Sequence, residues 1–423
     1  MLDIKFIREN QDKVQKGTDA KNFHISIAEL LGLDERVKQT QSSWESLQAK
    51  RNQLSKMIGK EKNTEARDAL RSQVLNMKAE LEQLQHELRE GKAELKQMML
   101  RVAQPAAEDV PLGKDDSFNQ ELRKVGIPRV FDFKPRDHVE LGQQLGILDI
   151  ERGVKLSGSR SYVLKGQGAL LEMALLRYGM QTLVEKGFVP LSVPTLVNEQ
   201  VMEGTGYFPL GADQAYQVEK DGMALVGTAE VSLCGLHMEE TLNAEELPKR
   251  YMAQSSCYRR EAGTYGRDTH GLYRVHQFQK LEMVVIAEND AEGDRLLHAE
   301  LLDLAETLLQ DLGLPYRVVY VCTGDLGLGQ FRKHDIETWM PSRQGYGETH
   351  SCSSFLDFQS RRLGIRYKDK SGKRHYAYTL NNTYMAIPRL LLAILENFQT
   401  ADGRVEIPQI LRPYMMGAAY IGE

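Results

Sequence analysis

The stretch YRREAGTYGRDTHGLYRVHQFQKLE, residues 258–282, sets two arginines and a carboxylate before a glycine-rich gap, then returns as an alternating run ending on another carboxylate. Side chains two apart on a strand share a face, so Arg259 and Glu261 are expected on one face of a first strand and Tyr258 and Arg260 on the other. On the returning strand His276, Phe278, Lys280 and Glu282 share a face, opposite Val275, Leu281 and Met283. Polar faces and cross-strand ion pairs are ordinary on half-exposed antiparallel sheets. Here the second strand runs into EMVVIA (282–287), which reads as buried on both faces. Charges leading into such a strand are costly unless paired or used. The intervening loop holds three glycines with Arg267 and Arg274, a composition suited to a mobile flap over phosphates. The chemistry points to a site for a nucleotide and an amine-bearing acid.

Outward from this stretch, RYMAQSSCYRRE (250–261), YRVHQFQKLEMVVIA (273–287) and YRVVYVC (316–322) read as strands, residues 168–186 as a helix with an apolar stripe, and residues 383–398 as a closing helix. Strands that follow one another without a helix between each pair predict an antiparallel sheet with flanking helices, an α+β fold. Gly324, Gly327 and Gly329 form G-x-x-G-x-G rather than the dinucleotide fingerprint and read as a turn; no phosphate-loop motif is present.

Residues 26–102 contain no proline, few aromatics and dense Lys, Glu and Gln. Apolar residues recur there in steps of three and four: Val37, Trp44, Leu47, Leu54 and Ile58, then Leu70, Val74, Met77, Leu81, Leu84, Leu88, Leu95, Met98 and Val102. This heptad spacing predicts two antiparallel coiled-coil helices, broken at GKEKNTE (59–65). At about 1.5 Å per residue the longer helix spans roughly 50 Å. By periodicity alone such an arm is as well an oligomerisation device as a contact surface, and its lysines and arginines, interspersed with acids, look like a solvated face. AQPAAEDVPLGKDD (103–116) is a linker. Two domains are expected: residues 1–103, with the arm at about 30–102, and residues 104–423.

Composition fits a globular chain: of 423 residues, 41% are hydrophobic and 27% charged. No apolar run approaches the roughly 20 residues of a bilayer span. The opening MLDIKFIREN shows neither a secretory nor a transit-peptide pattern, so a cytoplasmic location without membrane partners is expected. Cys234, Cys257, Cys322 and Cys352 lack metal-site spacing and are expected as buried thiols. A net charge of -5 argues against a general nucleic-acid coat but leaves room for local basic patches.

Residues 258–282 resemble motif 2 of the class II aminoacyl-tRNA synthetases, and in detail the seryl-tRNA synthetase family, with Tyr258 in place of Phe. GFVPLSVPTLV (187–197) is similar to motif 1, GTAE (227–230) to the family's T-x-E element, ETHSCSSFLDFQSRR (348–362) to its E-[IV]-S-S-x-S-N block, and LNNTYMAIPRLLLAILENFQ (380–399) to motif 3. Thr349 and His350 stand where the family commonly has Ile or Val and Ser, Ser354 stands for Asn, and Pro388 precedes Arg389.

The resemblance implies a serine–tRNA ligase, a cytoplasmic homodimer using ATP, L-serine and tRNA(Ser), with tRNA(Sec) left open as a second acceptor. It implies that Arg259 bridges the serine carboxylate and the α-phosphate, that Glu261 reads the adenine amino group, that Phe278 stacks on the ring and that Arg389 holds the γ-phosphate. Val275, Thr349 and His350 join the ATP site. Glu348 and Ser351 are the expected partners of the phosphates and of Mg2+. Thr228, Glu230, Glu282, Asn381 and Thr383 are expected to bind serine beside Arg259. By the same resemblance the arm contacts tRNA. Two alternatives stay open at this point: a paralogue that activates serine for a carrier protein or other acceptor, and a non-catalytic regulatory protein on a synthetase fold.

Overall fold

The computed structural model describes residues 1–264, 266, 268 and 270–422; Arg267, expected on the flap, lies outside them. The chain forms two compact units, one of residues Leu2–Asp19 and Phe23–Ala103, the other of Met1, Ala20–Asn22 and everything from Gln104 onward.

In the smaller unit, short helices α1 (Ile4–Glu9) and α2 (Gln11–Ala20) precede the long helices α3 (Ile27–Ile58) and α4 (Thr64–Met99). Each long helix starts on a side-chain cap that satisfies an otherwise orphaned N–H: Ser26 Oγ accepts from Glu29 N at 3.2 Å, and Asn63 Oδ1 accepts from Ala66 N at 3.1 Å. The turn between them falls at Gly59–Asn63, inside the predicted break. Leu33, Val37 and Leu88 pack together with Leu95 and Met98. Gly91 lets the helices approach, since a Cβ there would lie 2.9 Å from Val37 Cγ2. The heptad residues from Val37 to Met98 are buried or half-buried, whereas off-seam Leu75 is 69% exposed.

The larger unit is built on an eight-stranded sheet whose strands are β1 (Gln120–Val125), β2 (Val189–Pro190), β3 (Lys249–Tyr258), β4 (Gln277–Ala287), β5 (Tyr316–Tyr320), β6 (Arg332–Met340), β7 (Gly345–Leu356) and β8 (Tyr378–Ala386). Their order is β1-β5-β6-β7-β8-β4-β3-β2, and every pair is antiparallel except β2 with β3. Period-two alternation divides the faces. Leu281, Met283 and Val285 of β4 join Ile336 and Leu380 in the main core under helices α5 (Gln167–Glu185), α6 (Ala291–Asp311) and α7 (Ile387–Asn397). Val284 and Ile286 face the other way, onto Ala229, Leu233, Leu363 and Ile365.

Three boundaries differ from the sequence reading. The first strand stops at Tyr258, so Arg259 and Glu261 lie past its end, and Glu261 takes a φ of 52°. The returning strand starts at Gln277 rather than Tyr273. The closing helix starts at Ile387, because residues 378–386 pair with both β4 and β7 and form a central strand. A strand buried on both faces shows continuous small and apolar residues, which periodicity cannot tell from a helix.

Leu88→Ala should lower the stability of the α3–α4 pair by about 2 kcal/mol, the lower end for a buried leucine because the seam has only two helices. A shift in the urea midpoint followed by far-ultraviolet circular dichroism would check it.

Candidate active site

The face of β4, β7 and β8 away from the main core floors a cavity of about 340 Å³. Arg259, Glu261, Val275, Phe278, Glu282, Glu230, Glu348, Thr349, Ser351, Asn381, Thr383 and Arg389 all line it. Val275, expected to point away with Leu281, is thus on the cavity side, because it precedes the strand and is not bound by its alternation. His276 is not among the lining residues; its Nδ1 meets Arg259 O at 2.9 Å.

One end of the cavity is a buried polar cluster. Lys280 and Glu282, both nearly inaccessible, form an ion pair. Lys280 Nζ also donates to Thr228 Oγ1 at 2.7 Å and reaches Thr383 Oγ1 at 3.5 Å, while Thr383 Oγ1 lies 3.4 Å from Glu282 Oε2. Thr228 therefore sits one bond behind the lining; it also accepts Glu230 N at 3.2 Å, at the start of helix Glu230–Gly235. Glu230 receives Tyr207 OH at 3.0 Å and Gln359 Nε2 at 2.8 Å. Burial, reinforced by the charge of Glu282, pushes the Glu230 carboxyl up to about 7. Asn381 Nδ2 is a buried donor without a partner among the described residues. Such a buried donor is one that a polar group entering the cavity could satisfy.

Guanidinium groups line the rest of the cavity. Arg389, in the first turn of α7, donates to Glu348 O at 2.7 Å and lies over the Tyr273 ring at 4.8 Å. Although burial raises it, the Glu348 carboxyl is held below its ordinary value by Arg389, Lys333, Arg259 and Arg274. Arg259 stacks over Phe278 at 5.4 Å, and among the described residues its side chain hydrogen-bonds only Gly227 O, through Nε at 3.4 Å. Glu261 is engaged by Arg274 at 2.9 Å. His138, outside every motif noted in the sequence, accepts Leu272 N at 3.0 Å and so anchors the returning end of the loop.

His350 departs from expectation. Its Nε2 faces Tyr384 O at 3.1 Å and its Nδ1 faces Thr349 Oγ1 at 2.8 Å, and burial pushes it down to about 4. The cause is a bulge in β7: Ile336 pairs with His350 and Glu337 with Glu348, so the alternation slips at Thr349 and turns His350 toward the core while Ser351 and Ser353 face the cavity. The Thr349 hydroxyl is spent on Thr338 Oγ1 at 2.7 Å. Sequence reasoning gave no role to Tyr207, Gln359 or the cavity-lining glycines Gly327 and Gly329. The glycine pattern reads only as a turn, and although Gln359 falls within the block 348–362, the resemblance assigns it no role.

Removing the cation from the pair should be severe. Lys280→Met is expected to lower stability by about 3–5 kcal/mol, as for one partner lost from a buried pair. The loss should be larger at pH 8 than at pH 6, since Glu230, already at about 7, can neutralise itself by protonation only toward lower pH. Chemical unfolding at the two pH values measures both effects.

The comparisons with known proteins agree with this geometry. A model of the seryl-tRNA synthetase N-terminal domain matches residues 1–104, and one of the class II tRNA synthetase core domain (G, H, P, S and T) matches residues 216–398. The chain is 45% identical to a serine–tRNA ligase of Deinococcus radiodurans, covering 100% of this chain and 99% of that one, and 39% identical to one of Rubrobacter xylanophilus with the same coverage. Among solved structures it superposes on seryl-tRNA synthetase from Pyrococcus horikoshii complexed with ATP, with a TM-score of 0.91 and 37% identity over 100% of this chain and 99% of that one. The cytoplasmic enzyme of Naegleria fowleri in complex with AMP gives 0.86 and 29%, over 100% and 98%. With motif 2, motif 3 and the helical arm all matched over the full length, the chain belongs to the seryl-tRNA synthetase family of class II aminoacyl-tRNA synthetases.

Proposed function

We propose that the cavity binds ATP and L-serine together, joins them as seryl-adenylate and passes the seryl group to the terminal ribose of tRNA(Ser). Family membership makes the chain a ligase that forms an aminoacyl-tRNA ester. The observation that carries the reading is the opposition, in one cavity, of an acid-and-amide end holding Glu230, Glu282 and Asn381 to a guanidinium end holding Arg389, with Arg259 over Phe278. An amino acid has an ammonium and a carboxylate, and a nucleotide has phosphates and a flat base; this lining offers a complement to each.

The first step needs alignment and charge neutralisation more than a protein nucleophile, because an anionic carboxylate must approach an anionic phosphate. Arg259, whose terminal nitrogens have no hydrogen-bond partner among the described residues, is suited to bridge the two. Phe278 stacks on adenine, Glu261 accepts from its amino group, and Arg389 holds the terminal phosphate. Glu230 and Glu282 receive the serine ammonium and hydroxyl, with Thr383 and Asn381 completing the polar shell; a site built around a hydroxyl strongly rejects analogues lacking it. Thr228 contributes by seating Lys280, and Val275 and Thr349 supply wall surface. Glu348 and Ser351 are hard oxygen donors suited to Mg2+. Among the described residues no group of three His, Cys, Asp or Glu side chains is placed to hold a metal, which fits an ion held mainly by ATP phosphates. Bound there, Mg2+ would offset phosphate charge.

The arm is proposed to bind tRNA by shape and backbone. Lys50, Lys56, Lys60, Lys62 and Arg71 stand exposed along it. Exposed Met173, Val184 and Val189, on α5 and the motif 1 strand, support a homodimer across that face. Among the described residues no helix is long and apolar enough to cross a membrane. The complete arm and the gathering of Arg259, Glu261, Glu282 and Arg389 in one cavity weigh against carrier-protein and non-catalytic readings.

Arg259→Ala should abolish serine-dependent pyrophosphate exchange; activity within a few-fold of the parent chain would contradict the bridging role. Deleting residues 34–100 should spare exchange but remove tRNA charging, and equal loss of both would show that the arm is not a separate tRNA module. Charging assays with tRNA(Ser) and tRNA(Sec) side by side define the acceptor range.

A further inference from the structure

The turn Ala20–Asn22 belongs to the larger unit although the chain around it does not. Lys21 in this turn is 2% exposed, and its ammonium donates to two main-chain carbonyls, Gly327 O at 3.2 Å and Gln330 O. Burial alone pulls its amine down to about 7. A buried cation whose partners among the described residues are carbonyls costs stability that an apolar residue of similar length would not.

Both carbonyls belong to Gly327–Gln330, the glycine loop that lines the cavity. Gln104 N donates to Leu328 O inside the same loop at 2.9 Å, and Asn22 Nδ2 holds the turn that leads into it, donating to Gly324 O at 3.1 Å and to Lys114 O at 2.9 Å. Inside the loop, Gln330 accepts Gly327 N at 2.6 Å through Oε1 and donates through Nε2 to Ser353 Oγ at 2.8 Å. Ser353 pairs across the sheet with Asn381, the residue with the orphaned amide. The loop is therefore the wall of the acid-and-amide end, away from Arg389. It is pressed onto the aromatic residues behind it, since a Cβ at Gly329 would come within 2.4 Å of the Phe358 ring. Without the ammonium, the two carbonyls lose that donor, and the loop loses the bonds that tie it to the turn.

We propose that Lys21 is a positioning residue that fixes the Gly327–Gln330 wall and so sets how tightly the cavity holds the amino acid. The inference rests on the serine-activation reading above. The test is steady-state pyrophosphate exchange on the full chain, comparing the parent with K21M, which keeps length but not charge, and N22G, which removes the two amide bonds and suits the φ of 61°. The expected result is a serine KM raised about tenfold in K21M and less in N22G, with the ATP KM within about twofold of the parent. A folded K21M with an unchanged serine KM, or with both KM values raised alike, overturns the proposal. Should K21M fail to fold, N22G decides: a selective rise in serine KM supports the wall, and an unchanged value overturns it. A parent chain without serine-dependent exchange refutes the serine reading itself, and the proposal falls with it.

Discussion

A lysine ammonium paired with a buried carboxylate on the cavity face of the central sheet is the constraint around which the larger unit is arranged. Lys280 pairs with Glu282, and Glu230 stands close enough to Glu282 to feel its charge. Such groups cannot be left in a core without partners, and each has a named one: Thr228 and Thr383 for Lys280, Tyr207 and Gln359 for Glu230. The ring of hydroxyls and amides comes from four separate segments. Its position is thus a property of the assembled sheet and its covering loops.

From this follows the polarity of the cavity. Ser353 and the orphaned amide of Asn381 lie toward one end of β7 and β8, and Arg389, which follows β8 in the first turn of α7, lies toward the other beside Glu348. The opposite face of the same strands is apolar and carries the main core. The sheet therefore folds on one side and binds on the other, and a substitution such as Lys280→Met touches both at once. Gly327–Gln330 completes the polar end, and its own anchoring by Lys21 ties the cavity to a turn about 300 residues earlier in the chain.

Much of this was legible in residues 258–282. The alternation of Phe278, Lys280 and Glu282 against Leu281 and Met283 appears in the structure as cavity against core. Heptad spacing gave the helical pair and its turn nearly to the residue. The differences arise where a regular pattern breaks. The strand alternation that turned Val275 away with Leu281 does not reach back past Gln277, the closing helix was read into a doubly buried strand, and His350, placed in the ATP site by resemblance, is turned inward by a bulge.

By itself the amino-acid order determined which side chains share a strand face, where two long helices form, and which family the chain resembles, because those depend on local spacing and short motifs. Only the tertiary structure decided that Tyr207, Gln359 and a glycine loop close the polar end, that His350 turns inward, and that Lys21 reaches the cavity wall. These are contacts between segments far apart in the chain, and their partners are chosen by packing and by the need to satisfy buried polar atoms, which no local pattern encodes.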